Sequence, residues 1–428
     1  MNQADHRAIL LSIYEAAVEA AQPARCLPPY FPPAPARGRL IALAGGKAAA
    51  SMAEAAEHHY AEIIGAGRFA GLATVRKGYR RPLAAFELIE AAHPVPDRTS
   101  TEAAARSLKL AGEAAKDDLL LVMISGGASA LWAAPVEGVT LEEKQDLTRA
   151  LLRAGASIGA VNCVRKHLSR IKGGRLAQAA FPAKVVTLAI SDVPGDAPDT
   201  IGSGPTVPDS TTLADARAAM ERFGIHPAAS IEAALRDARN ETPKPGDPAF
   251  AEAKFILAAT PGHALKAAAA KASEFGYRPV LLGDALEGEA REVAQTHAAI
   301  ALKRRSDGER VAILSGGELT VTVRGDGRGG PNQEYALALA LALDGAPGIF
   351  ALAADTDGSD GGTGESDDPA GAFIGPHTRR RAREMGRDPA DFLTKNDSTG
   401  FFEMLDDLIV GGPTFTNVND LRVILVEP

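Results

Sequence analysis

VAILSGGELTVTVRGDGRGGPNQEYALALAL, running from Val311 to Leu341, is the stretch whose reading decides the fold. Val311 to Leu314 is an apolar run of the kind that ends a buried strand, and Ser315-Gly316-Gly317 breaks it. In an open α/β sheet such strand ends are where ligands are held. Leu319 to Val323 alternates as a second short strand would. GDGRGGPN follows, with four glycines and Arg328, and opens a helix at Gln333-Glu334-Tyr335. A glycine-dense loop entering a helix presents bare N–H groups at the positive end of the helix dipole, which suits an anion. Asn332 stands at that entry. The junction has a counterpart upstream, where Leu119 to Ile124 is apolar and ends in Ser125-Gly126-Gly127.

Outward from there, the same strand–glycine–helix grammar repeats. Leu40 to Ala44 is a short apolar strand, turned by Gly45-Gly46-Lys47 into an alanine-rich helix reaching about Tyr60. The GxxxxGK[ST] spacing is missing, so this is no P-loop. Val185 to Ile190 is a buried strand followed at once by Ser191-Asp192, and a carboxylate at a strand's C-terminal end can serve a metal or a substrate hydroxyl. Phe350 to Ala354 leads into DTDGSDGG, which sets Asp355, Asp357 and Asp360 in one turn. A calcium loop is disfavoured, since glycine falls at loop position four and Ser366 stands where a glutamate belongs. A site for Mg²⁺ or Mg-nucleotide suits Asp355 and Asp357 better. Strands alternating with helices predict an α/β protein.

Residues 5–21 read as a helix, and the proline-rich Pro23 to Pro35 cannot continue it. At 428 residues, two or three domains are expected. Glu241 to Pro248, ETPKPGDP, has the composition of a linker and sets the expected division at 1–240 and 249–428.

The basic run Asn162 to Arg175, NCVRKHLSRIKGGR, places Lys166 and Arg170 four residues apart, as on one helical face, and local attraction of an anion is one reading of it. The chain as a whole carries a net charge of −8, which argues against a nucleic-acid partner. Two cysteines, Cys26 and Cys163, form neither a metal spacing nor a disulfide framework, and a reducing, cytoplasmic compartment is expected. No signal peptide or membrane-spanning run is evident. Gly127-Ala128-Ser129-Ala130-Leu131 lacks the final glycine of a nucleophile elbow, which disfavours a serine hydrolase. What remains are cationic side chains, glycine nests and carboxylates, the parts of phosphoryl transfer.

GKAAASMAEAAE, HPVPDRTS, ISGGASALWAAP, NCVRKHLSRIKGGRLA, ISDVPGDAPDTIGSGPTVPD, LSGGELTVTVRGDGRGGPNQEYALALAL, AADTDGSDGG and GPTFTNVNDLRVILV together resemble the class II glycerate kinases. These are two-domain proteins whose C-terminal part is called the MOFRL domain. The resemblance runs from about Gly46 onward. It implies a Rossmann-like N-terminal α/β domain, a smaller α/β C-terminal domain and an active site in the cleft between them. It also implies ATP-dependent phosphorylation of D-glycerate, usually at the 2-hydroxyl, with Mg²⁺ or another divalent cation. On this basis Lys47 and Arg328 line the site, and Asp192, Asp355 and Asn417 stand in similarly placed motifs. Ser125, Gly126, Gly127, Ser315, Gly316, Gly317 and Asn332 are expected to touch substrate or nucleotide, and Asp192, Asp355 and Asp357 the metal. A monomer or homodimer is expected. Some relatives carry an older label, hydroxypyruvate reductase, but no GxGxxG fingerprint with an acidic partner is present to hold a dinucleotide.

Overall fold

The computed structural model describes residues 3–361 and 367–428, so Ser366 lies outside the described residues. The chain divides into two compact units, one of residues 26–258 and one of residues 1–25 with 259–428.

The first unit is built on a six-stranded sheet of β1 (Leu40–Gly45), β2 (Phe69–Arg76), β3 (Phe86–Ala91), β4 (Leu119–Ile124), β5 (Lys184–Ile190) and β6 (Lys254–Ala259). Its spatial order is β3-β2-β1-β4-β5-β6, and the pairings from β3 across to β5 are all parallel. Strands β1 and β4 are buried at every position, as uninterrupted apolar runs inside a helix-covered parallel sheet should be. Ile41, Leu43, Leu120, Val122 and Ile124 form the centre of its core. The strand order reverses between β1 and β4, and that switch point is where such sheets leave a crevice at the carboxyl ends of the strands.

The second unit carries β7 (Arg278–Gly283), β8 (Gly288–Glu289), β9 (Val311–Gly317), β10 (Leu319–Thr320), β11 (Ile349–Asp355), β12 (Gly371–Ile374), β13 (Leu408–Ile409) and β14 (Asp420–Val426). Six of these make a mixed sheet in the order β13-β12-β11-β14-β9-β7. Helix Pro331–Leu343 is buried from Asn332 through Ala340, because ALALAL is apolar all round and can only be a core helix. It packs with Val311, Ile313, Phe401, Phe402 and Ile424 in one cluster.

Two features of this division differ from the expected 1–240 and 249–428. Residues 241–248 are fixed within the first unit: Glu241 Oε2 accepts from the Leu213 N–H at 3.0 Å, and Thr242 Oγ1 donates to Asp209 at 3.1 Å. The chain then adds β6 to the edge of the same sheet. Conversely, helix Gln3–Ala20 belongs with the C-terminal unit, where the His6 ring stacks on Phe350 at 3.7 Å and the Tyr14 hydroxyl donates to the Asp355 carbonyl at 2.8 Å. Composition marks a linker by its flexibility in isolation and is blind to such long-range bonds.

Candidate active site

The first unit gathers its sequence-nominated residues at the switch point. Lys47 follows β1, Ser125-Gly126-Gly127 follows β4, and Asp192 follows β5, all at the carboxyl ends of adjacent parallel strands. The two glycine turns are locked together. The Lys47 N–H donates to the Gly126 carbonyl at 2.8 Å, and the Ala48 N–H donates to Ser125 Oγ at 3.0 Å. Ser125 is fully buried by this bond, so its hydroxyl shapes the lysine turn. Gly46 has φ +131, and a Cβ there would lie 2.1 Å from Ser125 Oγ. Gly127 has φ +84, and a Cβ there would lie 3.0 Å from the His93 ring and 3.6 Å from Lys47 Cγ. Only glycine permits this approach of Lys47 and His93 to one loop. Nothing local in HPVPD, residues 93–97, signals that the His93 ring would come this close to Gly127.

In the second unit several expected ligand-binding residues have internal partners instead. Ser315, Gly316 and Gly317 do not break the strand; they are the buried last residues of β9, paired with Arg422, Leu421 and Asp420 of β14. The buried Arg422 guanidinium donates to Ser315 Oγ at 3.2 Å, to the Gly316 and Gly317 carbonyls at 2.6 and 2.9 Å, and to Asp420 Oδ2 at 3.2 Å. Gly317, at φ +99, is required because a Cβ would sit 2.1 Å from the Leu286 nitrogen. Serine and glycines here accommodate a buried arginine and a crossing chain. The second strand expected over 319–323 shortens to Leu319–Thr320.

The helix entry at Pro331 is likewise taken. Asp360 caps it, accepting from the backbone N–H groups of Asn332 at 2.9 Å and Gln333 at 2.8 Å. The Asn332 side chain is buried, with Nδ2 donating to Asp360 at 3.0 Å and to Asp420 at 2.7 Å. The anion that this dipole end attracts is therefore the chain's own carboxylate. The loop glycines serve packing as well: a Cβ at Gly327 or Gly330 would strike Asp397 or Asp360 within 2.6 Å. Burial, followed by the charge of Asp420, pushes the Asp360 carboxyl up to about 7.

Arg328 keeps an exposed side chain on this loop, donating to Glu403 Oε2 at 2.7 Å, while its backbone N–H donates to Asp397 Oδ1 at 3.1 Å. Asp355 ends β11 and its Oδ1 accepts from the Asp357 N–H at 2.9 Å; Asp357 Oδ1 accepts from the Ser359 N–H at 2.8 Å. Asn417 is buried, its Oδ1 accepting from the Asn419 N–H at 3.1 Å. Among the described residues no three His, Cys, Asp or Glu side chains are gathered for a metal. A nucleotide-borne Mg²⁺ asks for only one or two carboxylates beside phosphates and water, and Asp192 beside the switch point fits that demand. Also among the described residues, no helix is long and apolar enough to cross a membrane.

The basic run behaves differently from its reading as one helical face. The helix is Ile158–His167 and stops before Arg170. Lys166 is buried between Asp199 at 3.1 Å and Asp209 at 3.5 Å, and His167 meets Glu241 at 3.0 Å.

Comparison with known proteins agrees with this architecture. Residues 9–236 match the domain of unknown function DUF4147, and residues 311–420 match the MOFRL family. The chain is 47% identical to a protein of Agrobacterium vitis that carries a provisional hydroxypyruvate reductase name, over 99% of this chain and 95% of that one. It is 39% identical to the D-glycerate 2-kinase of Thermotoga maritima, over 98% of each. A crystal structure of glycerate kinase from Thermotoga maritima superposes with a TM-score of 0.88 at 38% identity, covering 99% of this chain and all of that one. The two domains, their order and this similarity along the whole chain place the protein in the glycerate kinase family whose C-terminal part is the MOFRL domain.

Proposed function

We propose that this protein transfers the γ-phosphoryl group of ATP to the 2-hydroxyl of D-glycerate, giving 2-phosphoglycerate and ADP. The observation that carries the reading is the interlocked pair of turns at the switch point, which holds Lys47 against Ser125-Gly126-Gly127 where parallel sheets bind phosphates. In the reaction a bond forms between the hydroxyl oxygen and the γ-phosphorus as the bond to the β-phosphate oxygen breaks, and the hydroxyl proton passes to solvent, directly or by way of the Asp192 carboxylate. Little covalent chemistry falls to the protein, so catalysis is positioning and charge neutralisation. Lys47 neutralises charge on the transferring group. Asp192 would orient the hydroxyl or hold Mg²⁺, which when bound offsets phosphate charge. Arg328 supplies a planar guanidinium, which can fork onto phosphoryl or carboxylate oxygens. Asp355, Asp357 and Asn417 are further candidates for the reaction, and Asp355 and Asp357 would act by holding the metal.

The reductase name of one relative suggests hydride transfer instead. The turn after β1 reads Gly45-Gly46-Lys47 and lacks the fingerprint that seats a dinucleotide pyrophosphate there. A coupled assay for ADP release separates the two. Release that needs both D-glycerate and a divalent cation, with no NADH or NADPH oxidation by hydroxypyruvate, supports the kinase.

A further inference from the structure

Beside the Lys47 turn, the first unit contains a pocket of about 310 Å³ that the proposed reaction has not used. The loop carrying Gly127 supplies Ser129 to it, and the turn carrying His93 supplies Pro94 and Val95. Four cations line it, Lys144, Arg149, Arg165 and Lys172, and no Asp or Glu does among the described residues. Arg149 is exposed and pairs with Asp146. The other three have no acid partner among the described residues.

That arrangement is costly to the fold. Lys144 is 7% exposed and Lys172 2% exposed. Among the described residues each is tethered only to neutral acceptors: Lys144 Nζ to the Leu168 carbonyl at 2.8 Å, and Lys172 Nζ to the Ser129 carbonyl at 2.7 Å and hydroxyl at 3.4 Å. Burial, then the nearby Arg165 charge, pushes both amines well below the usual lysine range. A buried cation without a counter-charge destabilises a fold, and three that repel one another do so more. By contrast Lys166, one residue from Arg165, is neutralised by two aspartates. The chain thus has the means to pair a buried lysine and does not use them here. An anion from outside the chain would supply the counter-charge.

Charge and size define it. Three cations exceed what a monocarboxylate needs, and the volume lies within the roughly 300–1,000 Å³ usual for pockets that enclose drug-sized ligands, well beyond a three-carbon acid. The lining also carries apolar side chains, Val95, Leu141 and Leu152, and both Val95 and Leu152 are more than half exposed. We propose that this pocket binds the nucleotide, with Lys144, Arg165 and Lys172 holding its polyphosphate and the Val95–Leu152 side covering its base. The assignment rests on the kinase reading above and deepens it, because it puts the donor beside Lys47.

The test is isothermal titration of the full-length protein with ATP, inorganic tripolyphosphate and D-glycerate, for wild type, Arg165→Met and Lys144→Met. Thermal unfolding of each ligand-free variant accompanies it. The expected result is a Kd for ATP and tripolyphosphate raised roughly 30-fold or more, as for removal of one partner of a desolvated charge pair. Affinity for D-glycerate should stay within about threefold, and the ligand-free midpoint should hold or rise as the repulsion is relieved. A purely structural lysine would lower the midpoint instead; should Lys144→Met do so, Arg165→Met, on the less buried side chain, decides. Unchanged ATP affinity in folded Arg165→Met overturns the proposal, as does loss of D-glycerate binding alone, which gives the pocket to the acid. A wild type that binds ATP through these residues but makes no phosphoglycerate would sink the kinase reading and leave the pocket standing.

Discussion

Asp360 Oδ2 accepts from the Gln333 backbone N–H at 2.8 Å, and through this bond a carboxylate of the acidic turn closes the helix that the glycine loop opens. The carboxyl is buried beside Asp420 and its pKa is raised to about 7. The folded chain therefore keeps a proton that the unfolded chain has already released between the ordinary carboxylate range and about pH 7. Its contribution to stability is complete below that window and lost as pH rises through it. Thermal midpoints from pH 5 to pH 8 should fall for wild type more steeply than for Asp360→Asn. Parallel slopes would mean that Asp360 does not titrate there.

Ser315 is expected to matter to folding and not to ligands. Ser315→Ala removes one acceptor of the Arg422 guanidinium and should cost about 1 kcal/mol, with KM for both substrates unchanged within roughly twofold. Arg422→Met leaves Asp420 buried without its cation and should cost about 3–5 kcal/mol. Denaturant unfolding with parallel kinetics measures both. A selective rise in KM for Ser315→Ala would restore it to the binding site.

These two cases show what the sequence discloses and what it hides. The gathering of Lys47, Ser125 and Asp192 at one sheet edge is legible because each closely follows an apolar strand, and strand ends in α/β proteins converge there. The likeness of Ser315-Gly316-Gly317 to Ser125-Gly126-Gly127 does not extend to their surroundings. Both serines are buried, but one shapes a turn against Ala48 and the other receives an arginine 107 residues away. Asp360 was noticed only as a member of an acidic turn, since nothing local reveals a cap for a helix 28 residues upstream. Arg165 and Lys172 lie inside the basic run, yet run and spacing do not tell the aspartate-paired Lys166 from Arg165, which has no acid partner among the described residues. That distinction depends on tertiary neighbours, such as the Lys144 charge brought near from a different helix.

Gly127→Ala probes the switch point without touching a charge. The residue would hold φ +84 at about 1–2 kcal/mol of strain, with its methyl against His93 and Lys47. Turnover should fall roughly tenfold or more, because displacing a positioned group by a fraction of an ångström is felt in the rate. Steady-state kinetics with a circular dichroism control checks it, and wild-type kcat would detach the Gly127 loop from catalysis.

Arg328 is exposed and paired with Glu403, so its removal should spare the fold. If the guanidinium stabilises the transferring phosphoryl group, Arg328→Ala should lower kcat by as much as roughly 10³-fold, and Arg328→Lys should recover little because the planar fork is gone. A change confined to KM for D-glycerate would move Arg328 to the substrate carboxylate.

The central claim is the reaction itself, and ³¹P NMR of the purified protein with D-glycerate, ATP and Mg²⁺ reads it directly. The expected spectrum shows ADP and one new phosphomonoester, coupled to the proton on carbon 2, growing together. ATP left intact beside D-glycerate, with NADH or NADPH consumed when hydroxypyruvate is offered, would contradict it.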